Sequence, residues 1–427
     1  MNTLKRVLKN RFNIESSFVL YVLLLFFFPI QAQVSSNIDN SIIGKVLCGY
    51  QGWFNAPGDG SGLGFKHYKN GDEFKPGSCV IDYWPDMSEL SSKEKYPTDF
   101  VHANGEKAYV FSAANSKTVN THFKWMHDYN IDGVFVQRFV LNVPREDRYK
   151  NLNKVFDNCF KASITNKRLL AVMYDLSGSD AIVENTIQDW KLLVDTYGLN
   201  NANKDNLITY ENKPVVAIWG VGFKNRKYTL AQISTLIDFF KNDPKYGGCS
   251  VLLGVPNYWL TLDRDCIPDK QVHEVIAQAD ILQPWTPGRY NSLKAADLQV
   301  EKIKADMVWC QDKNLLYMPV VFPGFSWHNQ KKGKDPLNQI PRLKGEFLWR
   351  QFFNVIRAGS KSIYLAMFDE MDEGTCIFKV ANDPPVGKSP FLNYEGLPSD
   401  YYLWLTGKGK DMLNGKIPLQ MEIPKYP

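Results

Sequence analysis

The sequence predicts a single large α/β domain, a (β/α)₈ TIM barrel with long βα loops, and three observations carry that prediction. Short apolar or β-branched runs recur along the chain, helix-like stretches separate them, and aromatic and polar residues gather where those runs end. Such alternation is what a parallel sheet wrapped by helices requires. Eight runs are the number that closes a barrel.

In chain order the predicted strands are 45–51, 133–139, 169–176, 214–220, 250–256, 280–285, 315–321 and 362–368. Between them fall helical stretches at 118–129, 149–165, 182–197, 230–242, 269–278, 295–309 and 345–358. One further strand-like run, 108–113, precedes the first helix and is placed in an excursion between strands one and two. Residues 54–77 are rich in Gly, Lys and Asp and read as a loop over the barrel mouth. The barrel is expected over about 45–380, with a Pro- and Gly-rich C-terminal extension, 381–427, packed outside it around an apolar helical piece at 401–406.

At the N-terminus, Lys5, Arg6, Lys9 and Arg11 precede the apolar run 18–30 and then Gln31-Ala32-Gln33. That order is the pattern of a signal peptide, here 1–32, and predicts a secreted or periplasmic chain beginning at Gln33. A retained anchor is the alternative, but the run is short for a span and no comparable run follows. No membrane association is expected after cleavage. A formal charge of +5 over 427 residues is too small to indicate a nucleic-acid partner. Seven cysteines, an odd number, lie mostly inside apolar runs, which favours buried free thiols over disulfides and leaves any pairing undefined. Nothing in the sequence sets the oligomeric state.

In a barrel of this kind, functional residues sit past the C-terminal ends of the strands. There the sequence places Tyr50 and Trp53, Arg138, Asp175, Trp219, Tyr258, Trp285, and His328. Aromatic platforms interleaved with hydrogen-bonding groups suit a sugar, which presents C–H faces and a girdle of hydroxyls. Past the last strand come four carboxylates within five residues: Asp369, Glu370, Asp372 and Glu373. Crowded acids raise one another's pKa values, so one stays protonated while a neighbour ionises. That division supplies the acid and base of glycoside hydrolysis. A calcium site is the competing reading of such a cluster, but the spacing departs from the calcium-loop pattern, so no metal and no cofactor are expected.

The segment Phe368-Asp369-Glu370-Met371-Asp372-Glu373-Gly374-Thr375 resembles the strand-eight signature of the glycoside hydrolase family 71/99 group. Tyr129-Asn130-Ile131-Asp132-Gly133-Val134 and Asn212-Lys213-Pro214-Val215-Val216 resemble the same group's entries into strands two and four. Family 99 consists of endo-acting α-mannosidases that retain configuration through the substrate's own 2-hydroxyl. The resemblance implies that Glu370 deprotonates that hydroxyl and that Glu373 is the acid/base at the glycosidic oxygen. Asp369, Met371 and Asp372 stand where family 99 has Asn, Trp and His, so the groups that would select the sugar differ, with Asp369 as a candidate contact. The expected partner is an oligosaccharide or polysaccharide. A xyloside, arabinoside or α-glucan hydrolase and a non-catalytic glycan-binding barrel are the alternatives.

Overall fold

The computed structural model describes residues 39–427; the predicted signal peptide, 1–32, lies outside them. The strands are β1 (Val46–Tyr50), β2 (Tyr96–Val101), β3 (Lys107–Val110), β4 (Gly133–Phe139), β5 (Leu169–Asp175), β6 (Thr209–Tyr210), β7 (Lys213–Trp219), β8 (Ser250–Pro256), β9 (Ile281–Trp285), β10 (Leu316–Tyr317), β11 (Val320–Val321) and β12 (Ile363–Leu365). The helices are α1 (Ser116–Asp128), α2 (Glu146–Thr165), α3 (Ile182–Tyr197), α4 (Leu230–Asn242), α5 (Gln271–Ile276), α6 (Leu293–Asp312), α7 (Glu346–Arg357) and α8 (Tyr401–Leu413). Each predicted barrel strand and helix is present, most with ends within a few residues of those expected. No helix among the described residues is long and apolar enough to cross a membrane.

The main sheet runs β10-β9-β8-β7-β5-β4-β1-β12-β11, every step along it parallel. Its two ends, β10 and β11, are pieces of one run separated only by Met318 and Pro319. The path therefore closes on itself as an eight-membered ring whose seventh strand pairs with β9 through its first half and with β12 through its second. Pro319 has no N–H to give a ladder, which is why the pairing breaks there, yet its carbonyl still accepts from Tyr364 N at 2.9 Å.

The alternation of side chains along each strand divides barrel interior from helix-facing core. On the outer face Tyr50 packs against His122 and Phe123 of α1, while Arg138 and Tyr174 both reach Asp189 of α3. On the inner face Phe135 and Trp285 approach Tyr364, and Gln137 Nε2 donates to the Tyr364 hydroxyl at 3.1 Å. A Cβ on Gly49 would meet that hydroxyl at 2.1 Å, so glycine makes room for the interior tyrosine. All seven cysteines are buried free thiols.

The excursion between the first two barrel strands carries an antiparallel hairpin, β2 with β3. The strand-like run before α1 is its second arm. Its first arm reads poorly in sequence, since Pro97, Thr98 and Asp99 break the apolar pattern and the strand is exposed on alternate residues. The C-terminal extension packs outside the barrel, its helix α8 reaching well past the expected 401–406. Lys410 of α8 pairs with Asp132 at 2.7 Å, and Asp132 in turn accepts from Val46 N at 2.9 Å, tying the extension to the starts of β1 and β4.

Candidate active site

The turn that follows β12 is held from several directions. Asp369, fully buried, accepts from Gln51 N at 2.8 Å and Gly52 N at 2.9 Å, clasping the end of the last strand to the end of the first. Gly52 permits this by adopting φ +59°, and a Cβ there would also strike Val155 at 2.6 Å. Asp82 N donates to Met371 O at 3.1 Å, and Ser326 N to Glu373 O at 2.9 Å. Arg342, caged by the rings of Tyr83, Tyr394 and Tyr402, donates to Gly374 O and Cys376 O at 2.9 and 2.6 Å. The backbone of the acidic turn is thereby fixed by its surroundings.

Within that frame Glu370 is buried, and its carboxylate accepts from Gln51 Nε2 at 2.7 Å and Thr375 Oγ1 at 2.8 Å. Burial, then the neighbouring Glu373 and Asp372, hold its pKa well above the usual carboxylate range against those two donors. Glu373 is the member of the pair that reaches the opening, being half-buried. Burial and Asp372 push it up to about 7, while Lys331 and Arg289 pull it down. Burial and then Asp82 raise Asp372 to about 7, and burial takes Asp369 there too, against the N–H groups of Gln51 and Gly52. Four acids so placed do not all carry charge near neutral pH.

His67, from the loop 54–77, lies with Nδ1 3.5 Å from Asp372 Oδ2 and stacks on Trp53 at 4.0 Å. Burial, helped by Lys66 and Arg148, drives His67 down to about 3, so its imidazole is neutral. The loop therefore does lie at the mouth, as expected from its position. Around the same opening a set of buried polar atoms lacks any protein partner: Trp53 Nε1, Trp219 Nε1, Trp327 Nε1, both amide atoms of Gln283 and Asp372 Oδ1. Buried polar groups are ordinarily paired, and donors and acceptors converging on one opening are what a polyhydroxylated ligand would satisfy.

In fold the chain is similar to a family 99 endo-α-mannosidase. Two structures of that enzyme from Bacteroides thetaiotaomicron, one in complex with BIS-TRIS-propane, match with a TM-score of 0.62 at 16% identity, covering 87% of this chain and 98% of theirs. A glycoside hydrolase-like protein matches with a TM-score of 0.50 at 14% identity over 77% of this chain and 94% of its own. No protein-family model matches, and neither does any curated protein sequence. At these identities the likeness establishes the barrel fold.

The predicted site residues separate into groups. Glu370, Glu373, Trp53, Asp175, Trp219 and Trp285 are brought to the mouth. Trp219 and Trp285 meet edge to face at 5.3 Å, and Asp175 lies close enough to Glu373 to raise its pKa. Tyr50 and Arg138 are corrections. Both point outward, Tyr50 to hydrogen-bond His122 Nδ1 at 2.9 Å and Arg138 to form a buried ion pair with Asp189, so neither faces a substrate. Asp369 is likewise structural, both its oxygens being taken by backbone N–H groups. Tyr258 stays at the rim beneath Arg264, which lies 4.2 Å from its ring centroid and donates to its hydroxyl. His328 spends its ring on Asp335 O at 2.7 Å and its backbone N–H on Asp82.

The residues absent from the predicted site are Gln51, His67, Gln137, Gln283 and Trp327, and the signal for the three glutamines was period-two alternation. Gln137 precedes the outward Arg138, Gln51 follows the outward Tyr50, and Gln283 follows the outward Leu282. Among the described residues no grouping of His, Cys, Asp and Glu is arranged to hold a metal ion.

Proposed function

We propose that this chain is a glycoside hydrolase acting on α-linked glycans, with Glu373 as acid/base and Glu370 as its partner. The observation that carries the reading is the acidic turn: two glutamates at the barrel mouth, neither neutralised by a cation in ion-pair contact, in a backbone fixed on every side. A group near pKa 7 at an opening both gives and takes a proton at neutral pH. Raised basicity at Glu370 suits a base once that carboxyl is ionised.

The route implied by the resemblance balances as follows. Glu370 takes the proton of the 2-hydroxyl as O2 attacks the anomeric carbon, and Glu373 gives its proton to the departing glycosidic oxygen. Water then opens the resulting 1,2-anhydro sugar, with Glu373 receiving the water proton and Glu370 returning its proton to O2. Net configuration is retained. An α-mannoside suits this route because its O2 stands antiperiplanar to the leaving oxygen. Met371 is buried in the core and offers no aromatic surface, which leaves Asp372 and His67 as the groups beside the glutamates able to select the sugar.

Product analysis on α-mannan, α-glucan, xylan and arabinan tests the reading. Release of oligosaccharides with retained configuration from α-mannan is expected; binding without cleavage on all four would identify a glycan-binding barrel instead. We propose further that the enzyme acts outside the cytoplasm after loss of 1–32. Sequencing the N-terminus of exported protein should return Gln33, and an intact Met1 would overturn export by cleavage.

A further inference from the structure

Beside the acidic turn, the loop 54–77 and the start of α2 enclose a cavity of about 230 Å³. One of its walls is Gln51, whose side chain donates to Glu370 Oε1 at 2.7 Å, so an occupant lies one residue away from that carboxylate. Another wall is apolar and includes Trp53 and Phe139, with the unpartnered Trp53 Nε1–H among them. The volume is below the range of pockets that swallow whole drug-sized ligands, and suits a single ring or its substituent.

Lys66 and Arg148 also line this cavity, both half-buried. Among the described residues neither has a carboxylate within ion-pair distance. Two of the buried acids on this side are already engaged. Asp59 accepts from Asn55, Ala56, Ser61 and Ser112, and Asp372 faces His67. Burial and the like charges of Arg148, Lys69 and Arg145 depress the Lys66 ammonium, while Asp147 is the one acid that supports it. Cations gathered on a cavity wall with no carboxylate in ion-pair contact, and only the exposed Asp147 to offset them, are costly for the empty protein. An anion in the cavity would offset that cost through charge-assisted hydrogen bonds, and a guanidinium fork matches the oxygens of a carboxylate or sulfate.

We infer that this cavity is a subsite for an anionic substituent of the glycan, a uronate carboxylate or a sulfate ester, received by Lys66 and Arg148 beside Glu370. The inference rests on the glycan reading above and adds to it a preference, among α-linked glycans, for those that carry a uronate or sulfate, neutral α-mannan being the poorer substrate.

Titrating the folded mature protein with glucuronic acid, glucose 6-sulfate and glucose, followed by tryptophan fluorescence, tests it without turnover. At least one charged probe should bind about ten-fold or more tightly than glucose, and added salt should erode that preference. The stronger of the two charged probes distinguishes carboxylate from sulfate. The preference should vanish in the K66Q/R148Q double variant, whose melting temperature should equal or exceed that of the wild type because no ion pair is lost. Equal binding of glucose, no binding of either charged probe, a preference that survives in the double variant, or a lowered melting temperature would each overturn the subsite. Binding of charged sugars with no cleavage of any glycan would keep the subsite and remove the hydrolase.

Discussion

Two regions near the C-terminal ends of the strands bury charge, and they handle it in opposite ways. Outside the barrel Arg138 is fully buried against Asp189, with Asn153, Leu152 O and the Tyr174 hydroxyl completing the network. Inside, Glu370, Asp372 and Glu373 crowd together with no cation in ion-pair contact, relieved by a glutamine, a threonine, a neutral histidine and, from further off, Lys331 and Arg289. A buried charge with its counter-charge is architecture. Buried acids kept together against their own repulsion cost stability, and that is the pattern expected of a functional site.

The contrast can be broken from either side. The largest effect expected is on turnover: Glu373→Gln should lower kcat by about 10²–10⁴-fold while glycan binding stays near wild type and the melting temperature at neutral pH rises, because a raised-pKa acid has been neutralised. Retained activity would remove Glu373 from the acid/base role. Next is the outer pair, where Arg138→Met strands a buried carboxylate and should cost about 3–5 kcal/mol in urea unfolding, with glycan contacts untouched. Adding Asp189→Leu should recover most of that loss, and failure to recover would assign Arg138 a role beyond pairing.

Glu370→Gln should do the opposite to stability, raising it at neutral pH by about 1 kcal/mol while abolishing turnover. The glutamine keeps both contacts, accepting from Gln51 and donating to Thr375. The sign follows from linkage. Acids whose folded pKa is raised hold more protons in the folded than in the unfolded state between the two values. Wild-type stability should thus fall as pH rises from the ordinary carboxylate range near 4 toward about 7, the window set by Asp369, Asp372 and Glu373. Asp372→Asn should flatten that slope in a pH series of melting temperatures, and an unchanged slope would show that the cluster ionises elsewhere. Smallest is a shift in the pH–rate profile. The basic limb of kcat/KM should lie near 7, where Glu373 loses its proton, and Lys331→Met should move it upward by removing a cation that favours the ionised form. A downward move would reverse the assigned electrostatics.

Most of the barrel was legible because its strands are covered on both faces, which makes them near-continuous apolar runs that stand out between amphipathic helices. The hairpin arm β2 was not, since a half-exposed strand interrupted by Pro97 lacks that signature. The acidic turn was legible through its density and its place after the last strand. Tyr50 and Arg138 misled because adjacent residues on a strand face opposite ways, and both carry side chains suited to a sugar while pointing away from the mouth. Proximity created only when distant segments meet, such as the contact of His67 with Asp372 or the placing of Lys66 and Arg148 on one cavity wall, leaves no mark in local sequence.

The clasp made by Asp369 has a practical meaning for anyone reshaping this protein. Its two bonds run from the last strand to the amides of Gln51 and Gly52, just ahead of the loop that begins at Phe54. Glu370 and Glu373 are thus registered to the barrel upstream of the segment that walls the cavity. Exposed positions of that segment can be changed without moving the glutamates, whereas Phe54, Tyr68 and Phe74 belong to the core and must stay.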